Sequence, residues 1–196
     1  LALSNTGDLI FINSSADLMS VNSDTGKVNW SNNISGSMLA DATDFFTASG
    51  VTIEDDVVFF STPSFTFALN LIDGKTIWET PVSSTSTPII DKNNIFFVTE
   101  NGYFVIMNKN TGKVISANNI LKILKKKKQT TKITGFIMGS GKIYSVTLNG
   151  YLIVSSAISG KVESFKKIGD PIISAPIINN GKLYILTQNS RIFGLK

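Results

Sequence analysis

The densest group of carboxylates in the chain is Glu54-Asp55-Asp56. Such side chains could hold a hard cation through their oxygens, but three neighbours at a junction between two strands cannot all aim at one ion. The stretch is therefore read as a solvated turn, and the same junction recurs as Asp91-Lys92 and Asn179-Asn180. A second candidate is LADATDFF, residues 39 to 46. Leu39, Phe45 and Phe46 could serve as desolvated anchors, while Asp41 and Asp44 set register against a basic partner, the mixture that protein interfaces use. A third is the lysine segment with Lys122, Lys125, Lys126, Lys127, Lys128 and Lys132. It could meet an acidic partner or anionic headgroups, each lysine contributing up to about 1 kcal/mol near a charged surface, or it could be a solvated connection whose like charges repel.

The rest of the inventory is short of chemistry. The chain has no cysteine and no histidine, so disulfides, thiol nucleophiles, the usual zinc sites and histidine-based acid/base chemistry drop out. No Gly-rich phosphate cradle and no convergent carboxylates are present, and the expectation is that no quinone, metal or nucleotide cofactor binds. The net charge of +4 is local, because without the six clustered lysines the balance turns negative. A general nucleic-acid footprint is not expected. No run reaches the ~18 apolar residues of a membrane span. Leu1-Ala2-Leu3-Ser4 enters strand pattern directly, so the chain is expected to be a piece trimmed to a folded part.

What must position these candidates is a repeat. Residues 86 to 116 read as strands at Thr87 to Ile90, Ile95 to Thr99 and Tyr103 to Asn108, with a fourth beginning at Lys113. Asn-Gly and Thr-Gly pairs between the runs supply the positive φ of tight turns. The closing words recur as Asp24-Thr25-Gly26-Lys27, Asp73-Gly74-Lys75, Thr111-Gly112-Lys113 and Ser159-Gly160-Lys161. A period near 40 built of short strands marks a β-propeller blade. Copies are assigned to residues 1–34, 48–80, 86–117, 132–167 and 171–196, about 4.6 four-stranded antiparallel blades of an all-β propeller. Trp30 and Trp78 each follow the closing glycine by four residues, a rank that Ser116 and Ser164 hold in later copies. The tryptophans are expected to pack between blades. The stretch from Ser31 to Thr47 is an insertion, and insertions fall in loops on one face.

TPIIDKNNIFFVTENGYFVIMNKNTGKV and APIINNGKLYILTQNSRIFGLK resemble the PQQ-like propeller repeat. Its pattern is a Pro-bearing inner strand, a Gly-Lys or Asn-Asn turn, an aromatic second strand and a closing Thr-Gly-Lys-Val-x-Trp. The order of features is similar to the C-terminal part of the BamB family of outer-membrane assembly lipoproteins. That resemblance implies a larger, eight-bladed propeller and a periplasmic location, tethered to the outer membrane by a lipid anchor outside this chain. It also implies a non-enzymatic scaffold that binds the periplasmic domains of the central barrel-assembly subunit, with Asp41 and Asp44 as the best matches to a docking loop. Fragments of this kind could also pair through open blade edges. Two alternatives remain beside it: a fragment of a PQQ-dependent quinoprotein dehydrogenase, and a propeller that binds a small ligand.

Overall fold

The computed structural model describes residues 1–34, 46–124 and 131–195. Among the described residues, nineteen strands form five antiparallel meanders. The first comprises β1 (Ala2–Leu3), β2 (Asp8–Ile12), β3 (Asp17–Asn22) and β4 (Val28–Asn33). The second holds β5 (Thr52–Glu54), β6 (Val57–Ser61), β7 (Thr66–Asn70) and β8 (Thr76–Thr80). The third has β9 (Ile89–Asp91), β10 (Asn94–Val98), β11 (Tyr103–Asn108) and β12 (Val114–Asn119). The fourth runs through β13 (Ile133–Gly139), β14 (Lys142–Thr147), β15 (Tyr151–Ser156) and β16 (Val162–Lys167). The fifth has β17 (Ile177–Asn179), β18 (Lys182–Leu186) and β19 (Ile192–Leu195). In each sheet the strands lie side by side in chain order.

In the second and third sheets the two middle strands are buried on both faces, and their sequences show it. VVFFS in β6 and YFVIMN in β11 are nearly continuous apolar runs with little alternation, as expected where a sheet is covered on both sides. The last strands, such as VNWSNN in β4 and VISANN in β12, are largely exposed.

One device closes the third strand onto the fourth in every complete sheet. At the first, Gly26 N–H donates to the Asn22 carbonyl at 2.9 Å and Asn22 N–H to the Lys27 carbonyl at 2.9 Å. Gly74 with Asn70 and Lys75, and Gly160 with Ser156 and Lys161, repeat the pattern. The glycines have φ of 70°, 68°, 66° and 68° at positions 26, 74, 112 and 160. A left-handed glycine after a tight turn inserts a bulge, and the register shifts where it should, at Ser20/Val21, Ala68/Leu69, Ile106/Met107 and Val154/Ser155.

The inner strands are shorter than the sequence suggests. Where Thr87 to Ile90 is expected, the ladder covers Ile89–Asp91, and the first ladders of the second and fifth sheets cover only Thr52–Glu54 and Ile177–Asn179. Pro88 and Pro176 cannot donate to a ladder, so pairing begins only after them.

The chain divides into two compact units. Unit 1 comprises Leu1–Asn93 with Lys109–Lys113, and unit 2 comprises Asn94–Asn108 with Val114–Lys196. The core of unit 1 joins Ile10, Leu18 and Ile34 to Val58, Phe60, Phe67 and Leu69. Phe60 and Phe67 stack there with ring centroids 5.0 Å apart. A core of unit 2 joins Val146 and Leu152 to Ile172, Leu183 and Ile185. Each such side chain contributes about 1.5–3 kcal/mol by leaving water.

Candidate interaction surface

Of the five residues assigned to docking by sequence, Leu39, Asp41, Asp44 and Phe45 lie outside the described residues. Phe46 is described. It is half-buried and packs against the unit 1 core, and it lines a recess of about 360 Å³ together with Leu1, Ile12, Ala48, Ser49 and Val51. The chain thus returns from the insertion at an aromatic side chain seated on the core. In the lysine segment, Lys125 to Lys128 also lie outside the described residues, whereas Lys122 is exposed and Lys132 pairs with Glu100 at 3.4 Å.

The acidic junction of the second sheet is a turn with a partner. Asp55 and Asp56 have φ of 49° and 60°, the pair of left-handed residues that a two-residue hairpin of matching twist requires. Lys109 reaches the turn from 54 residues away, with Nζ 2.6 Å from Asp55 Oδ2 and 3.4 Å from Glu54 Oε2. Among the described residues no group of three or more metal-ligating side chains is assembled, and the lysine occupies the place a cation would take. The hydrogen bond that Lys109 donates to Asp55 is the main reason that its ammonium is held above the usual lysine range, partly offset by desolvation and assisted by the Glu54 charge.

That shift has a pH consequence. A raised lysine pKa adds stability that is complete below the unfolded value near 10.4 and disappears as pH rises through the higher folded value. Lys109→Met is expected to lower the melting temperature by about 2–4 °C at pH 7 to 9. The gap between variant and parent should narrow as pH rises past the usual lysine range and close beyond the raised folded value. A gap that widens with alkaline pH would contradict this assignment.

Lys109 was not legible as a site residue, because nothing local marks it. Its backbone carries a second role: the Trp78 indole N–H donates to the Lys109 carbonyl at 2.9 Å, and Trp30 donates to the Leu71 carbonyl at 2.8 Å. Both indoles lie over the closing glycine that follows, Trp30 on Gly74 and Trp78 on Gly112. Asn32 Nδ2 donates to the Gly74 carbonyl at 3.0 Å, and Thr80 Oγ1 to that of Gly112 at 2.8 Å. The expected packing of the tryptophans between blades is what the structure shows.

Charge is divided unevenly between the units. Unit 1 carries five lysines against eleven acids, a net of −6, and unit 2 carries thirteen lysines and arginines against three acids, a net of +10. The whole-chain balance conceals this. Even without the six clustered lysines, unit 2 keeps seven cations against three acids.

Residues 2–118 match the family described as outer membrane protein assembly factor BamB. Among solved structures, BamB from Moraxella catarrhalis aligns with a TM-score of 0.75 at 13% identity, over 98% of this chain and 59% of that one. The β-propeller domain of Cps50 (Swd1) from Myceliophteria thermophila aligns with a TM-score of 0.73 at 12% identity, over 98% of this chain and 63% of that one. The computationally designed Ika8 protein aligns with a TM-score of 0.72 at 10% identity, over 96% of this chain and 55% of that one. The fold is accordingly that of a β-propeller of antiparallel blades, and the chain spans about three fifths of the length of these first structures. No curated protein matches the chain in sequence.

Proposed function

The chain belongs to the family of the outer membrane protein assembly factor BamB, and on that premise we propose that it is a non-enzymatic scaffold of the machinery that assembles β-barrel proteins in the outer membrane. In this reading it works on the periplasmic side of that membrane and binds the periplasmic domains of the central barrel-assembly subunit. The observation that carries the reading is the family match over residues 2–118, more than half the chain. The blade geometry supports it. Rigid sheets locked by Trp30 and Trp78 present connecting segments as a platform does, and binding residues concentrate on such segments.

The docking segment in this proposal is residues 39–46, with Leu39, Phe45 and Phe46 as anchors and Asp41 and Asp44 as steering charges. Phe46, held against the core, fixes where the segment begins its return. The acidic character of unit 1 as a whole adds a long-range pull on a basic partner surface.

The experiment is a titration of the parent chain and of Asp41→Arg/Asp44→Arg against the periplasmic domains of the central subunit. The double variant is expected to bind more weakly by about five-fold or more, mainly through a slower association rate that loses its salt dependence, with the melting temperature unchanged. Asp24→Arg/Glu79→Arg, which reverses two exposed acids of the same unit, is the control for net charge. Glu54 is unsuitable as a control because it pairs with Lys109. Equal binding by parent and loop variant would overturn the docking assignment, and no binding by the parent would overturn the scaffold reading itself.

A further inference from the structure

At one end of the third and fourth sheets the connections are stitched into a rim that lies wholly within unit 2. It starts at the turn between β10 and β11, where the Gly102 carbonyl accepts from Ile120 N–H at 2.8 Å and the Glu100 carbonyl from Ile133 N–H at 3.2 Å. It continues to the turn between β14 and β15. There Leu148 N–H donates to the Lys132 carbonyl at 2.9 Å, and Asn149 Nδ2 to Thr131 Oγ1 at 2.9 Å. It ends on β16, whose Lys167 ammonium donates to the Asn149 carbonyl and lies 4.7 Å from the centre of the Tyr151 ring.

A short helical turn, residues 120–124, follows β12 on this rim. Ile120, Leu121 and Leu124 are buried, with Leu121 seated on Gly102, while Lys122 and Ile123 between them are exposed. Leu148, in the turn after β14, is a second exposed aliphatic side chain. Both aliphatics are thus held toward water by backbone that the core and the hydrogen bonds fix in place. Lys122, Lys132 and Lys167 stand exposed along the same rim. The nearby acids are engaged, Glu100 by Lys132 at 3.4 Å and Asp170 by Arg191 at 3.4 Å, and Lys122 and Lys167 form no ion pair among the described residues. Lys125 to Lys128 lie outside the described residues, and without them unit 2 still has nine cations against three acids.

We propose that this rim is a membrane-binding face, which rests on an anionic phospholipid surface with Lys122, Lys132 and Lys167 among the headgroups and Ile123 and Leu148 entering the interface beneath them. The contact is made by the folded chain itself, and it is separate from the docking segment, which belongs to unit 1. A bilayer presents smeared negative charge, which attracts clustered lysines without asking for a fixed geometry. Lysine suits that task as a compact, hydrated point charge on a flexible stem. At protein interfaces lysine is depleted, and arginine and aromatic side chains take its place. The exposed aliphatics decide further against an acidic polymer, which offers them no apolar medium, whereas an interfacial contact gains both from apolar burial and from charge.

The test is co-sedimentation of the chain with vesicles of phosphatidylcholine and phosphatidylglycerol in equal parts, with pure phosphatidylcholine vesicles as the comparison. Binding to the anionic vesicles is expected at low salt and should fall steeply at high salt. Lys122→Glu should weaken it by about five-fold or more. Lys161→Glu makes the same charge change at an exposed position of the closing turn, the other end of the fourth sheet, and should weaken it far less. The chain has no cysteine, so Ile123→Cys, Leu148→Cys and Ile158→Cys each accept one environment-sensitive fluorophore. Ile158 is 93% exposed in the closing turn of the fourth sheet. Labels at 123 and 148 should shift to the blue on anionic vesicles, and the label at 158 should not. If the Leu148 variant does not fold, the label at 123 and the two charge variants decide. Equal binding to both vesicle types, equal losses from Lys122→Glu and Lys161→Glu, or a blue shift at 158 but not at 123 would each overturn the proposal. So would displacement from the vesicles by equimolar tetraglutamate, which would make an acidic peptide the ligand.

Discussion

Replacing Gly74 by alanine is expected to destabilise the chain by about 2–5 kcal/mol, whereas the same change at Gly26 should cost only about 1 kcal/mol. The two glycines share a backbone conformation, with φ of 68° and 70°, so the strain of placing an L-residue in the left-handed region is common to both. They differ in what lies above them. A Cβ on Gly26 meets nothing within 4 Å, while one on Gly74 would stand 2.5 Å from Trp30 Cε3 and 2.8 Å from Cδ2. The indole cannot swing away freely, because its N–H is committed to the Leu71 carbonyl at 2.8 Å and its body packs on the unit 1 core. Urea unfolding followed by circular dichroism of both variants, alone and with Trp30→Ala, checks this. Without the indole the extra cost at Gly74 should vanish, leaving the two glycines equal. Equal costs in the parent background would mean that the indole does not constrain the turn.

That contrast also shows which parts of the fold were legible in the sequence. β11 falls where the run from Tyr103 to Asn108 places it, because apolar content and Thr-Gly-Lys punctuation are local signals that backbone physics reads directly. The innermost strands were misjudged at their starts, since the position of a ladder's first pair depends on the neighbouring strand and on Pro88 or Pro176. The candidate site was less legible still. The acidic turn was placed correctly as a turn, but its lysine comes from 54 residues along the chain, and no local pattern announces such a pairing.

The second large effect is expected at Gly135, where the obstacle is backbone. A Cβ there would lie 2.5 Å from Ala175 Cα, 2.6 Å from its Cβ and 3.0 Å from its nitrogen. The register of β13 on β14 shifts between Ile133 and Gly135, so the chain is already bent at this point to admit the approach. Gly50 offers the contrast within unit 1, because its built Cβ meets Thr87 Oγ1 at 2.4 Å, a side-chain atom that can rotate away. Gly135→Ala is expected to cost about 3 kcal/mol or more, at the upper end of overpacking effects, and Gly50→Ala about 1–2 kcal/mol. Thr87→Ala should relieve most of the Gly50 defect. Ala175→Gly should relieve little of the Gly135 defect, since the Cα and nitrogen of residue 175 remain in the way. A Gly135→Ala variant as stable as the parent, or one fully rescued by Ala175→Gly, would show that the two backbones are not in the close contact that sets the spacing of the fourth and fifth sheets.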